Sequence, residues 1–229
     1  MTERRFDNML AVDTSSGHLR LAVSFGGDRL VTLEEHVERS HGQVLFRKIS
    51  DLLLSANLAV DRLHGIAVCT GPGSFTGLRI GLAAVKGIAT ALRIPVVAVS
   101  RFDLAGYLLR NESEDVSVLI PLKRGQFYCG IVSAGKGIID SPSVTTTAQL
   151  ATPSTAKRVF GIGFGSESAS PVHELPSSFT ILTYSAGDLI YLGRSVLDSG
   201  QSVNLALLEP LYLQKSQAEI RFDQRQQSK

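Results

Sequence analysis

Gly71-Pro72-Gly73-Ser74-Phe75-Thr76-Gly77-Leu78-Arg79-Ile80-Gly81 separates two different hydrophobic patterns. Before it runs Gly65-Ile66-Ala67-Val68-Cys69-Thr70, a short β-branched stretch that reads as a buried strand. After it, Leu82 to Leu92 is apolar and rich in helix formers. Strand, glycine loop and helix in that order mark an α/β unit. Such a loop turns tightly, and it aims backbone N–H groups out of a helix N-terminus, where an anion can bind. It is not a Walker loop, because no Gly-Lys-Ser/Thr closes it. It also misses Gly-x-Gly-x-x-Gly, because the third glycine would fall at Thr76. The residues alone leave two readings open: a nucleotide-binding loop, or a turn that lets a helix pack close to its sheet.

Working outward, Met9 to Asp13 and Leu19 to Phe25 read as strands, and Gly26-Gly27-Asp28 is a hairpin signal leading into a third, Leu30 to His36. From His41 the period changes. Val44, Leu45, Ile49, Leu52, Leu53 and Ala56 recur at three- and four-residue spacing, the mark of an amphipathic helix, with Ser40 as its cap and Asn57 as its stop. Ile94 to Val99 is a strand and Phe102 to Leu109 a helix. Beyond a break at 100–111 the pattern starts again. Val116 to Pro121 and Gln126 to Ser133 read as strands, Gly135-Lys136-Gly137 as a turn, Thr147 to Leu150 as the start of a short helix, and Arg158 to Gly163 as a strand. Ser185 to Asp188 has capping-box spacing and opens a helix that Gly200 can end; Arg221 to Lys229 is polar and expected to fray. The expected class is α/β with two related lobes, each a mixed sheet flanked by helices, divided as 1–103 and 104–229.

Of 229 residues, 44% are hydrophobic and 19% charged, enough for a proper core. A net charge of +2 with scattered Arg and Lys announces no broad nucleic-acid face. Cys69 and Cys129 lie in strand-like runs and read as buried free thiols, which suits a reducing compartment. The N-terminus lacks a signal-peptide core, and no apolar run approaches the roughly 20 residues of a membrane span. A cytoplasmic protein without a membrane role is expected.

Asp13-Thr14-Ser15-Ser16-Gly17 closes the first strand. Its acid, hydroxyls and glycine suit a metal-bound phosphate, or else Asp13 caps its own loop in an Asx-turn. The five histidines contain no i, i+4 pair, the spacing that puts two imidazoles on one helix face. No Gly-x-Ser-x-Gly elbow occurs. In the second helix, Gly77 and Gly81 stand four apart, as do Ala83, Gly87 and Ala91, and its only charges are Arg79 and Lys86. A helix apolar on nearly all sides needs cover on nearly all sides: one face from its sheet, the other from a second helix or another protein.

Leu10-Ala11-Val12-Asp13-Thr14-Ser15, Ser40-His41, the glycine stretch and the ending Glu209-Pro210-Leu211-Tyr212-Leu213 together resemble the TsaB (YeaZ) family of tRNA threonylcarbamoyladenosine synthesis. The resemblance implies an actin-like ATPase fold of two RNase H-like lobes. It also implies a non-catalytic subunit that docks on TsaD, supports its transfer of threonylcarbamoyl to the adenine beside the anticodon, and forms a surface for the ATPase TsaE. TsaD carries a His-x-x-x-His metal pair whose positions fall here at Arg101 and Ala105, so the resemblance implies no metal and no catalytic residue. Pro121-Leu122-Lys123 and Gly161-Ile162-Gly163 stand where the family often has Asp-Ala-Arg and Gly-Asp-Gly. Candidate nucleotide or anion contacts are Asp13, Thr14, Ser15, Gly73 and Ser74, with ATP or ADP expected only in the complex. The expected partner face, which could also pair two copies of the chain, lies on helices 41–56 and 76–92 and involves Leu45, Gly77, Arg79, Gly81, Leu82, Ala83 and Lys86. The rival is an actin-like phosphotransferase using Asp13 and the glycine loop. Valine at Gly73 or Gly77 is expected to damage folding more than chemistry.

Overall fold

The computed structural model describes residues 6–37, 41–123, 125–150, 158–163 and 179–213. Ser40, His173 and the tail 221–229 lie outside the described residues. β1 (Met9–Asp13), β2 (His18–Phe25) and β3 (Arg29–His36) form an antiparallel meander. The chain continues through α1 (His41–Ser55), β4 (Gly65–Gly71), α2 (Phe75–Leu92) and β5 (Val96–Ser100). β4 pairs in parallel with β1 and with β5, giving the sheet order β3-β2-β1-β4-β5.

After α3 (Arg101–Leu108) the plan repeats. β6 (Val116–Lys123), β7 (Gln126–Ser133), β8 (Gly137–Ile138) and β9 (Ser143–Thr146) are followed by α4 (Thr147–Leu150), β10 (Val159–Ile162), β11 (Phe179–Leu182) and α5 (Ala186–Asp198). The second sheet runs β11-β10-β6-β7-β8, with β9 also on β7. Read from β8, this is the first sheet's order again: third strand, second, first, fourth, fifth. Two such sheets in tandem make the actin-like ATPase architecture. Short strands in the second half, β8, β9 and β11, extend the sheet beyond the strands expected there.

The strand pleat sorts the core. Met9 and Ala11, Ala67 and Cys69, and Val97 and Val99 point to the core between the two sheets. Their neighbours Leu10 and Val12, Ile66 and Val68, and Val96 point to the other face, under α1 and α2. The lobes exchange helices across the inner core: α3, which leaves the first sheet, lies on β7 and β8, and α5, which leaves the second, lies across β1, β2, β4 and β5. Of the two thiols Cys69 is buried and Cys129 half-buried, and both are free.

Contrary to the expectation from run length, α2 is long and apolar enough to cross a membrane by length and composition alone, with 18 residues of mean hydropathy 1.3. Its place in the fold explains that composition: Leu78, Leu82, Val85 and Ala89 are buried.

Candidate functional site

The β1–β2 turn and the glycine loop are packed into each other. Ser74 N–H donates to Ser15 O at 2.7 Å, and Thr14 Oγ1 donates to Gly77 O at 2.8 Å. A Cβ at Gly73 would overlap Ser15 O, one at Gly77 would overlap Thr14 O, and one at Gly81 would overlap Thr14 Oγ1. The glycine strip of α2 is therefore the groove in which residues 14–15 lie. Close approach sets the requirement for glycine at these three positions, and positive φ does not. The left-handed backbone falls on Gly71 instead, at φ 98°. Ser74 is the N-cap of α2 and accepts from Gly77 N–H at 3.2 Å. The anion-binding capacity of this helix end is thus partly taken up from within.

Asp13 is fully buried, and both its oxygens have partners. Oδ1 accepts from Ser15 N–H at 2.8 Å, the Asx-turn, and Oδ2 accepts from the Tyr184 hydroxyl at 2.7 Å. Tyr184 lies in the segment between β11 and α5, so this bond joins the two lobes. Its hydroxyl also accepts from Arg20 Nη1 and Arg101 Nη2, each at 3.3 Å. Arg20 faces Asp13 across β1 and β2, faces Glu34 across β2 and β3, and pairs with Glu34 at 2.8 Å. Arg101 is delivered by the β5–α3 junction, where Ser100 and Asp103 form a capping box. A Cβ at Gly163, just beyond β10, would overlap the Arg101 guanidinium. The second-lobe segment Gly161-Ile162-Gly163 therefore abuts an arginine.

Burial alone would raise the Asp13 carboxyl, but the Arg101 charge and the hydrogen bonds from Ser15 and Tyr184 outweigh it and hold the group below its usual value. Burial likewise opposes the Arg101 charge, and Tyr184 and Asp13 restore it. Burial, with the Asp13 charge, pushes the Cys69 thiol up to about 12, so this cysteine is no nucleophile at neutral pH. Sequence reasoning picked Asp13 and missed Tyr184, which bonds to it, Arg101, whose charge holds it ionised, and Arg20, which bonds to Tyr184. Only Arg101 carried a signal, as a cation at a helix start.

His41 opens α1 and is buried, and His18 and His36 rings lie 5.0 Å apart. Among the described residues no group of three or more His, Cys, Asp or Glu could hold a metal ion. Burial lowers both His18 and His41 below their ordinary 6.5, with Arg20 adding to the effect at His18. The unfolded chain then binds more protons than the folded one as pH drops below 6.5. Stability is full above that pH and is lost as pH falls through 6.5 toward the folded-state values. Urea midpoints at neutral and mildly acidic pH check this: His41→Gln should flatten the acid-side slope, and an unchanged slope contradicts the assignment.

α1 and α2 lie side by side on the outer face of the first sheet; a Cβ at Gly42 would stand 3.6 Å from Ile80 Cδ1. Of the residues expected at a partner face, Leu45 and Leu82 are buried in the core beneath the helices, and Gly77 and Gly81 are buried against Thr14. Arg79 and Ala83 are exposed and Lys86 is half-buried. Gly87 and Ala91 extend Ala83 as an exposed strip, and Phe46 of α1 is 60% exposed. Arg79 is held in place: its guanidinium lies 3.9 Å from the Phe75 ring centre, and its Nε donates to the Tyr212 hydroxyl at 2.8 Å.

A family model described as "TsaD: tRNA N6-adenosine threonylcarbamoyltransferase" matches residues 33–154. The chain is 30% identical over 132 residues to the tRNA threonylcarbamoyladenosine biosynthesis protein TsaB of Bacillus subtilis, covering 58% of each chain. It is 29% identical over 125 residues to TsaB of Escherichia coli, covering 52% of each. The match thus spans little more than half the length of these curated relatives. Among solved structures, YeaZ from Pseudomonas aeruginosa superposes with TM-score 0.70 at 30% identity, covering 90% of this chain and all (100%) of that one. A second Pseudomonas aeruginosa structure, described as an uncharacterized protein with similarity to peptidase YEAZ, gives 0.72 at 31%, covering 91% and 100%.

Proposed function

We propose that this chain, which belongs to the TsaB/YeaZ family, acts in the synthesis of threonylcarbamoyladenosine on tRNA as a non-catalytic subunit. It docks on TsaD, holds that enzyme in its active arrangement, and contributes to the surface on which TsaE acts; tRNA is reached through the complex. Residues 1–103 form the lobe that docks and 104–229 the second lobe. The cytoplasm, where tRNA is modified, is its place of work.

The observation that carries this reading is the exposed strip Ala83, Gly87 and Ala91 of α2, with Phe46 of α1 exposed beside the helix pair. Small side chains on a helix let another helix approach closely, and an exposed aromatic supplies the anchor that interfaces favour. A partner with a similar helix pair fits this face, which is also the face through which two copies of this chain would pair.

The polar cluster supports the non-catalytic half of the proposal. Arg101 and Ala105 occupy the two positions where the resemblance to TsaD places metal-binding histidines, and an arginine cannot serve as a neutral ligand. Asp13, on which the phosphotransferase rival depends, is held by Ser15, Tyr184 and the Arg101 charge. Thr14, Ser15, Gly73 and Ser74 are tied to one another or to α2, so firm nucleotide binding is assigned to the complex and not to this chain alone.

Ala83→Arg tests the docking. Ala83 is exposed, and arginine is a good helix former, so the variant should fold. Co-purification with TsaD should weaken by about 30-fold or more, equivalent to about 2 kcal/mol. Unchanged affinity for TsaD would place the interface elsewhere.

A further inference from the structure

At the open edge of the first sheet, β5, α3, the turn before β8, and α5 enclose a cavity of about 410 Å³. That volume lies within the range of small-molecule sites, roughly 300–1,000 Å³. Its walls are aliphatic and aromatic: Val97 and Val99 from β5, Leu192 and Val196 from α5, and the Tyr107 ring from α3. Its polar lining is dominated by two cations, Arg110 and Lys136. Arg110 stands over the Tyr107 ring at 4.8 Å and donates from Nη1 to Tyr107 O at 3.0 Å, which aims the guanidinium along the cavity wall. Neither cation has a carboxylate partner among the described residues. The one acid in the lining, Asp103, already accepts from Ser100 N–H at 3.0 Å and from Ser100 Oγ at 2.6 Å. With two cations to one carboxylate, and that carboxylate engaged by Ser100, the apolar chamber carries a net positive lining and is complementary to a small amphiphilic anion.

We propose that this cavity binds a small organic anion, its apolar body against Tyr107, Val99 and Val196 and its carboxylate or phosphate on Arg110 and Lys136. The inference is independent of the docking face, since α1 and α2 contribute nothing to the cavity. α3 and α5 are the helices that the lobes exchange, so a ligand between them would also tie the lobes together.

The test is a titration of the full chain followed by amide resonances, with phenylacetate and phenyl phosphate as probes and phenylacetamide and inorganic phosphate as controls. Saturable shifts of Gly135, Gly137 and Leu192 with at least one anionic probe are expected. Phenylacetamide and inorganic phosphate should each bind at least about tenfold more weakly, because each lacks one half of the match. Arg110→Gln combined with Lys136→Gln should weaken the anion by about tenfold or more while leaving distant resonances in place. Both side chains are exposed, so the fold should survive the change. No shift at those amides with either anion, equal binding of phenylacetamide, or full binding by the double variant would overturn the proposal.

Discussion

Gly77→Val is expected to destabilise the chain by more than about 3 kcal/mol or to prevent its folding, because the new side chain meets a backbone oxygen that cannot step aside. That oxygen belongs to Thr14, whose own hydroxyl is bonded to Gly77 O, and the next residue, Ser15, receives the Ser74 N–H. To make room, the β1–β2 turn must lift away from α2, which breaks these bonds and loosens the Ser74 cap. Gly87→Ala on the exposed side of the same helix is the control. Gly87 has nothing within 4 Å of its missing Cβ, and alanine favours a helix over glycine by about 1 kcal/mol, so this variant should be slightly more stable. Paired denaturant titrations of the two variants check both signs. A Gly77→Val chain that folds like the original but loses a measurable ATP affinity would make the loop a ligand site.

The second large effect belongs to Arg101. Arg101→Met removes the cation that contributes most to keeping Asp13 ionised, and leaves the buried carboxylate on the hydrogen bonds of Ser15 and Tyr184. Breaking such a buried pair from one side costs about 3–5 kcal/mol. Asp13→Asn should also destabilise. The double variant should be less damaged than the sum, because the second change removes the charge that the first left stranded. The acid limb should change too. In the original chain the lowered Asp13 carboxyl contributes stability above the ordinary 3.8 that is lost as pH falls through its folded value, and in Arg101→Met that contribution shrinks. Strict additivity of the two single changes would show that they do not form one cluster.

Much of this fold is legible in the sequence, because periodicity and punctuation agree. The meander is written in alternation and in Gly26-Gly27, α1 in its three- and four-residue spacing, and the Ser185 to Asp188 capping box forms as its spacing demands. The segments missed are short. Gly137–Ile138, Ser143–Thr146 and Phe179–Leu182 hold two to four residues each, too few for a period to register, and they become strands because β7 and β10 offer edges. The candidate site divides along the same line. Asp13 and the glycine loop are local signals. The Tyr184 hydroxyl and the Arg101 guanidinium reach Asp13 from positions 171 and 88 residues along the chain, through helices that swap lobes. No local pattern encodes that meeting. The helix faces show the opposite limit. Periodicity identified α2 as apolar all round but could not say which side met the sheet, so Leu45 and Leu82 were expected outward, whereas both are buried.

The proposed role is docking through the exposed strip of α2, with no chemistry of the chain's own. The direct measurement is threonylcarbamoylation of tRNA in a reconstituted system containing TsaD, TsaE and the threonylcarbamoyl donor. The chain is omitted, supplied as it is, or supplied as the folded Ala83→Arg variant. Modification is expected with the original chain, and little without it or with Ala83→Arg at the same concentration. Full modification with Ala83→Arg, or with the chain left out, would contradict that role.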